Sequence, residues 1–144
     1  MVKIIHIMGK EKSGKTSSIR LFLENHCGLL LPKKPMDVQE IVTIEKDGKF
    51  YKGGVATGGD TDKIIIDNFI FFTNKEANGS LDFIVCPSRT RGKSFNELKN
   101  QVSLLIPAAK IDITVRTKQV DKDNITLKDK DNKRVSDEIW NHIP

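Results

Sequence analysis

The chain has 144 residues, of which 38% are hydrophobic and 30% are charged, and its formal net charge at pH 7 is +5. This composition is typical of a soluble globular protein rather than a disordered or membrane protein, and the length suits one domain with its own core. The apolar stretches are too short to cross a bilayer, and two cysteines are too few for a disulfide framework. We therefore expect a single cytoplasmic domain over residues 1–144, with no signal peptide and no membrane partner.

The beginning of the chain has the pattern of a strand, a loop and a helix. Val2–Met8 is a nearly continuous apolar run, typical of a strand buried on both faces of a parallel sheet. After a loop with two glycines, Ser17–His26 places apolar residues on one helical face, and Gly28 can cap the end of that helix. Two prolines then predict a loop over Leu31–Met36.

A hairpin and a second helix are predicted next. Val38–Glu45 and Lys49–Thr57 have the composition of strands, and the Asp-Gly turn between them is typical of a β-hairpin. Asp60 and Thr61 are placed to cap a helix over Asp62–Ala77. This part of the chain should therefore supply two antiparallel strands and a helix.

The alternation of strands and helices continues through the second half. Leu81–Cys86 predicts a buried strand, followed by a polar loop over Pro87–Lys93. A Ser-x-x-Glu capping box predicts a helix that begins at Ser94 and continues to Pro107. Ile111–Arg116 alternates between apolar and polar residues, as a strand near the edge of a sheet does.

The last part of the chain is predicted to hold a short strand and a final helix over Arg134–Ile143. Residues 121–132 repeat Asp-Lys-Asp-Asn but lack the glycine and glutamate of a calcium loop, so we expect a solvated charged loop there. The whole order predicts an α/β fold, a three-layer sandwich in which helices cover a mostly parallel sheet. The hairpin should make one edge strand antiparallel.

The most specific feature of the sequence is Gly9–Thr16, GKEKSGKT, which matches the pattern G-x-x-x-x-G-K-[ST]. The chance of such a match somewhere in a chain of this length is roughly half a percent. Here the match also comes directly after a predicted strand and directly before a predicted amphipathic helix. This context predicts a nest of backbone N–H groups for a phosphate, supported by the helix dipole. The predicted nucleotide-binding residues are Gly9, Lys12, Ser13, Gly14, Lys15, Thr16 and Ser17.

Each position of this motif suits a particular role. Gly9 permits a sharp exit from the strand, and Gly14 allows the backbone to approach phosphate oxygens closely. Lys15 can pair with the β- and γ-phosphates, and Thr16 can offer its hydroxyl to Mg²⁺. Ser17 is expected near the α-phosphate.

At these residues the chain resembles the P-loop NTPase superfamily. The resemblance implies a three-layer α/β fold, binding of a Mg²⁺–nucleoside triphosphate, and hydrolysis or phosphoryl transfer. It also implies a metal-linked carboxylate at the end of a strand beside the strand that precedes the loop. Asp60 is our candidate, with an ordinary helix cap as the alternative. Asp82 begins its predicted strand and should lie at the opposite end of the sheet.

Two arginines follow the strand Leu81–Cys86, whose end should open onto the phosphate site. Arg89 and Arg91 could clamp a phosphate or neutralise charge in the transition state, and a solvated basic loop is an equal alternative. The predicted catalytic residues are therefore Lys15, Arg89 and Arg91.

The chain is similar to small G proteins and to small nucleotide kinases without the full motif set of either. The D-x-x-G motif of G proteins would fall on residues 56–59, where Ala56 replaces the aspartate. Their guanine-reading motif is at best Thr117–Asp121, with the aspartate one place late. We therefore expect ATP rather than GTP. Kinases often carry arginines in a lid, but the chain has no acceptor-binding signature.

We predict Mg²⁺-dependent nucleoside-triphosphate binding with hydrolysis of the terminal phosphate. The first alternative is a nucleoside or nucleotide kinase that transfers the γ-phosphate to a small-molecule or protein acceptor. The second is a nucleotide-regulated binding module with little turnover. A nucleic-acid partner is compatible with the net charge but lacks support, because Tyr51 and Trp140 are solitary and form no aromatic platform.

Overall fold

The computed structural model describes residues 2–32, 36–105, 108–121 and 123–144. Within these ranges the chain has an α/β structure with five strands and five helices. In chain order they are β1 (Lys3–Met8), α1 (Lys15–Cys27), β2 (Gln39–Lys46), β3 (Lys49–Ala56), α2 (Asp62–Phe72), α3 (Lys75–Asn78), β4 (Phe83–Ser88), α4 (Lys93–Ser103), β5 (Ile111–Arg116) and α5 (Ile125–His142).

The five strands form one mixed sheet in the order β2-β3-β4-β1-β5. β1 pairs in parallel with β4 and β5, and β3 pairs in parallel with β4. β2 pairs antiparallel with β3 at one edge, which confirms the hairpin predicted from the Asp-Gly turn. The carboxyl ends of β1, β3, β4 and β5 therefore meet at one edge of the sheet, where ligands bind in open α/β sheets.

The buried apolar side chains form two clusters that share the strands of the sheet. One cluster joins Ile5 and Ile7 of β1 to residues of α1 and α5. The other joins Ile4 of β1 to residues of α2 and α4. Ile4 and its neighbour Ile5 belong to different clusters because successive side chains of a strand point to opposite faces. None of the helices in the described ranges is long and apolar enough to cross a membrane.

The second predicted helix is divided. α2 ends at Phe72, where the Thr73 hydroxyl donates to the carbonyl oxygen of Phe69 at 2.6 Å. The Asn74 side chain then caps the short α3, accepting from the N–H of Ala77 at 3.2 Å. The single helix predicted over Asp62–Ala77 was therefore wrong at this junction. β4 also begins and ends two residues later than the predicted strand.

The predicted charged loop over residues 121–132 was wrong beyond Asn124. The Asn124 side chain accepts from the N–H of Leu127 at 3.1 Å, so α5 begins at Ile125. Asp131, expected in solvent, is buried. Its carboxylate accepts a hydrogen bond from the N–H of Lys118 at 3.0 Å and forms an ion pair with Arg134 at 2.9 Å, and these contacts compensate for its burial. The predicted short strand before the last helix is absent from residues 117–121 and 123–124.

The predicted capping box does not form. α4 begins after Gly92 without a side-chain cap, and the Ser94 hydroxyl accepts from the N–H of Arg89 at 3.0 Å instead. The Glu97 carboxylate accepts from the Asn100 amide at 3.0 Å. α4 ends at Ser103, so the predicted continuation of this helix to Pro107 was wrong at Leu104 and Leu105. Pro107 itself lies outside the described residues, as does part of the predicted loop around Pro35.

His6 in β1 should make the stability of the fold depend on pH. Its Nε2 atom lies 2.7 Å from the Ser88 hydroxyl, and its ring stacks on Phe95 with 5.7 Å between centroids. Burial, with a smaller contribution from the charge of Arg116, lowers the pKa of His6 from 6.5 to about 4. As pH falls below 6.5, the His6 imidazole becomes protonated in the unfolded chain but stays neutral in the folded chain. The free energy of unfolding should therefore fall.

We expect a loss specific to His6 of about 3 kcal/mol between pH 7.5 and pH 4. The measurement is urea unfolding at several pH values for wild type and His6→Gln, and the difference between their pH profiles isolates this residue. Identical profiles would show that His6 titrates equally in both states.

Candidate functional site

The glycine loop, residues 9–16, connects β1 to α1 at the carboxyl edge of the sheet. The N–H of Gly9 donates to the carbonyl oxygen of Ser88 at the end of β4, at 3.2 Å. A Cβ atom at Gly9 would collide with the side chains of Thr117 and Ser13, whose hydroxyl oxygens are 2.6 Å apart. The loop is thus packed between the ends of β4 and β5, and only glycine fits at its first position.

The end of the loop exposes the amino terminus of α1. Lys12 and Gly14 both have left-handed backbones, with φ of 59° and 90°. Gly14 precedes the helix without a side-chain cap, and the first turn contains no acidic residue. The first N–H groups of a helix have no acceptor within the helix, and they coincide with the positive end of its dipole. This geometry can bind an anion such as a phosphate.

Lys15 lies across the glycine loop rather than in solvent. Its side chain is only 6% exposed, and its Nζ atom lies 3.2 Å from Oδ1 of Asp60. The same ammonium donates to the carbonyl oxygens of Gly9 at 2.8 Å and Lys10 at 2.9 Å. The positive charge is therefore held at the loop, directly beside the amino terminus of α1.

Asp60 and Arg89 continue a row of alternating charges from Lys15. The Asp60 carboxylate lies 3.7 Å from Nε of Arg89, and a terminal nitrogen of Arg89 lies 3.3 Å from the Glu11 carboxylate. Oδ1 of Asp60 and Nε of Arg89 are buried atoms without a well-directed hydrogen bond in the described part of the chain. The contact between these two atoms is therefore an ion pair without a hydrogen bond.

The strand that precedes Asp60 is not the neighbour of β1 that the prediction required. That strand, β3, is separated from β1 by β4, so the expectation that it lies beside β1 was wrong. Asp60 does not cap α2 either, because the Thr61 hydroxyl accepts from the N–H of Ile64 at 3.2 Å. The turn over residues 57–60 nevertheless carries the Asp60 carboxylate to Lys15.

This turn is fixed by close packing. A Cβ atom at Gly59 would collide with the carbonyl oxygen of Pro87 in β4. The buried Asn68 amide donates to the carbonyl oxygen of Gly58 at 2.9 Å and accepts from Gln39 at 2.8 Å. Asn68 interrupts the apolar face of α2 in the sequence, and its contacts explain why a polar residue is buried there.

A second carboxylate, Asp37, lies at the hydroxyl of Thr16. The Thr16 hydroxyl lies 3.0 Å from the carbonyl oxygen of Thr57 and 3.4 Å from Oδ1 of Asp37. The Thr57 hydroxyl accepts from the N–H of Val38 at 2.9 Å and lies 3.4 Å from the same carboxylate oxygen. Asp37 could not be predicted from the sequence, because an aspartate between a proline-rich loop and a strand carries no motif.

These residues line a cleft of about 220 Å³. Most of the predicted site residues border it, together with residues from the segments after β5 and in α5. The lining residues are Lys12, Ser13, Gly14, Lys15, Thr16, Ser17, Asp37, Thr57, Gly58, Gly59, Asp60, Lys118, Val120, Lys128, Asp131 and Asn132. Arg89 joins the cleft through Asp60, whereas Arg91 is exposed and has no ion pair within the described residues.

The donor set of the cleft fits a hard cation that is also bound by phosphates. The described residues contain no cluster of three histidine, cysteine, aspartate or glutamate side chains that could hold a metal by themselves. They offer the Thr16 hydroxyl with the carboxylates of Asp37 and Asp60 nearby. Mg²⁺ is typically bound by one or two carboxylates, substrate phosphates and water, so this set is compatible with it.

The geometry thus brings an uncapped helix amino terminus, a buried ammonium and hydroxyl and carboxylate oxygens together at one edge of the sheet. No protein-family model, curated protein or solved structure matches this chain.

Proposed function

We propose that this chain binds a Mg²⁺–nucleoside triphosphate at the glycine loop and hydrolyses its terminal phosphate. The observation that carries the proposal is the conjunction of left-handed Gly14, the uncapped amino terminus of α1 and the ammonium of Lys15. A lone helix terminus binds many anions, but a buried lysine beside it adds a charge suited to a polyphosphate. In this proposal the chain is a small P-loop NTPase.

The two core clusters support the three-layer arrangement that such a fold requires. α1 and α5 contribute to one cluster, and α2 and α4 contribute to the other. With the sheet between them, the helices would form two outer layers. The cleft would then lie at the carboxyl edge of the middle layer.

In the proposed complex, N–H groups from Lys12 to Thr16 hold the β-phosphate. Lys15 exchanges a carbonyl acceptor for a β- or γ-phosphate oxygen, and Ser17, exposed beside the loop, faces the α-phosphate. When bound, Mg²⁺ neutralises charge on the β- and γ-phosphates. Thr16 and a nearby carboxylate would supply the protein side of that metal site.

The far end of the cleft supports ATP rather than GTP. Guanine-specific sites use a carboxylate to accept hydrogen bonds from the base. Here one oxygen of the Asp131 carboxylate accepts from the N–H of Lys118, and the other is paired with Arg134. The Asp121 carboxylate accepts from the N–H of Asp123 at 3.1 Å. Both oxygens of Asp131, which lines the cleft, are therefore engaged, and Asp121 is not among the cleft-lining residues in the described part of the chain.

A thermal-shift panel tests the proposed function. ATP with Mg²⁺ at about 100 times its Kd should stabilise the fold by about 2.7 kcal/mol, because the ligand binds only the folded state. For a domain of this size, that corresponds to a rise in Tm of roughly 5–10 °C. AMP and adenosine serve as controls without the triphosphate, and GTP tests the base. If no nucleoside triphosphate raises Tm at millimolar concentration, the proposal is wrong.

A further inference from the structure

The hydroxyl of Thr16 faces two oxygen acceptors but has a single proton. The carbonyl oxygen of Thr57 is the nearer acceptor at 3.0 Å, and Oδ1 of Asp37 lies at 3.4 Å. O–H···O hydrogen bonds are usually about 2.7–2.8 Å, so the longer contact is the weaker acceptor of this proton. When the Thr16 hydroxyl donates its proton to the carbonyl oxygen of Thr57, the lone pairs of the Thr16 oxygen are free to face the Asp37 carboxylate.

The separation of these two oxygens suits a metal ion bound between them. Adjacent ligands of an octahedral Mg²⁺ with 2.0–2.1 Å bonds are about 2.9 Å apart. Thr16 Oγ1 and Asp37 Oδ1 are 3.4 Å apart, so they need to approach by only about 0.5 Å relative to that ideal. A hydroxyl that binds a metal through a lone pair keeps its proton, and the carbonyl of Thr57 remains its acceptor.

Asp37 is exposed, and two neighbouring residues bear on where its carboxylate lies. A Cβ atom at Gly58 would lie 2.7 Å from the Asp37 carboxylate. The carboxylate therefore occupies space that is open because Gly58 has no side chain. The Thr57 hydroxyl accepts from the N–H of Val38 and is therefore oriented to donate its proton to Asp37. At 3.4 Å this contact is as long as that of Thr16, and a hydrogen bond of this kind from an outer residue helps to orient a carboxylate ligand.

Asp60 is engaged differently. Its carboxylate lies 3.2 Å from the Lys15 ammonium and 3.7 Å from the Arg89 guanidinium. Two cations beside one carboxylate oppose the binding of a third, because like charges repel. Asp60 is thus suited to hold Lys15 and Arg89 at the phosphate site.

We propose that Asp37 and Thr16 are the direct protein ligands of the divalent cation, and that Asp60 positions Lys15 and Arg89. This inference rests on the proposed function, since the remaining ligands would be phosphate oxygens and water. It differs from the sequence-based prediction, which gave the metal-linked carboxylate to Asp60.

The test is a titration of the full chain with Mn²⁺ in the presence of a saturating non-hydrolysable ATP analogue, followed by the electron paramagnetic resonance signal of free Mn²⁺. Asp37→Asn should weaken Mn²⁺ binding about 10-fold or more, since even outer-shell changes cost 10- to 100-fold. Gly58→Ala keeps the carboxylate but fills its space, so it should weaken Mn²⁺ binding in the same direction. Asp62→Asn, in the first turn of α2, is the control for loss of one negative charge.

Binding of the same analogue in EDTA separates the two carboxylates. Without a metal, Asp37→Asn should bind the analogue at least as tightly as wild type, because a negative charge near the phosphates has been removed. Asp60→Asn should instead weaken this metal-free affinity, because Lys15 and Arg89 lose the partner that positions them. Circular dichroism confirms that each variant is folded.

The inference is overturned if Asp37→Asn keeps Mn²⁺ affinity within about 2-fold of wild type, or if Asp60→Asn loses more Mn²⁺ affinity than Asp37→Asn. Failure of the proposed function is recognised separately. In that case the wild-type chain binds no analogue with or without Mn²⁺, before any variant is compared.

Discussion

Replacing Lys15 with alanine should weaken triphosphate binding by about 10- to 1000-fold. The variant loses a charge-assisted contact of about 1.5–3 kcal/mol or more, and each 1.4 kcal/mol corresponds to a tenfold change in Kd. Lys15 is the ammonium that the structure places at the amino terminus of α1. The measurement is isothermal titration calorimetry with ATP and Mg²⁺.

Lys10→Ala is the matched control, because it removes the same charge from the same loop at an exposed side chain. The contacts of Lys15 also predict an effect on the fold. Its loss removes donors from the carbonyl oxygens of Gly9 and Lys10, which should lower the free energy of unfolding by about 1–3 kcal/mol. Binding must therefore be measured at a temperature where circular dichroism shows both variants folded. Equal ATP affinity in folded Lys15→Ala and wild type would contradict the proposed phosphate site.

The β1–loop–α1 unit could be predicted because local signals agree there. A continuous apolar strand, a glycine that alone fits the loop and an amphipathic helix each indicate the same structure. The start of α5 could not be predicted in this way. Its first half is mostly charged and exposed. The buried carboxylate of Asp131 is stabilised by contacts with Lys118 and Arg134. Those partners become neighbours through tertiary packing, which a local pattern does not contain.

The site shows the same division. Lys15 and Thr16 belong to one short motif, so their proximity follows from the sequence. Asp37 is 21 residues beyond Thr16, and its approach depends on the hairpin edge and on the space left at Gly58. The insertion of β4 between β3 and β1 was likewise not predicted, because strand order is decided by long-range pairing. Sequence spacing alone therefore could not predict that Asp60, which follows a strand not adjacent to β1, contacts Lys15.

Arg89 and Arg91 are two residues apart and equivalent in the sequence, yet the structure separates them. Arg89 contacts Asp60 and Glu11 at the cleft, whereas Arg91 is exposed. The Ser94 hydroxyl also accepts from the backbone N–H of Arg89, which fixes the start of this loop. If the chain turns over ATP, Arg89 is therefore the arginine that we expect at the γ-phosphate.

Arg89→Ala should lower kcat by about 100-fold or more while changing the Kd for ATP less, because a guanidinium that meets developing charge acts most strongly in the transition state. Arg91→Ala should lower kcat less than Arg89→Ala does. Lys49→Ala, in the hairpin at the far edge of the sheet, is the control for the loss of one positive charge. Phosphate release with ATP and Mg²⁺ alone measures a hydrolase. A kinase would show the same loss only when its acceptor is added. Equal turnover by wild type and Arg89→Ala would remove Arg89 from the chemistry and leave its ion pairs as contacts of the resting loop.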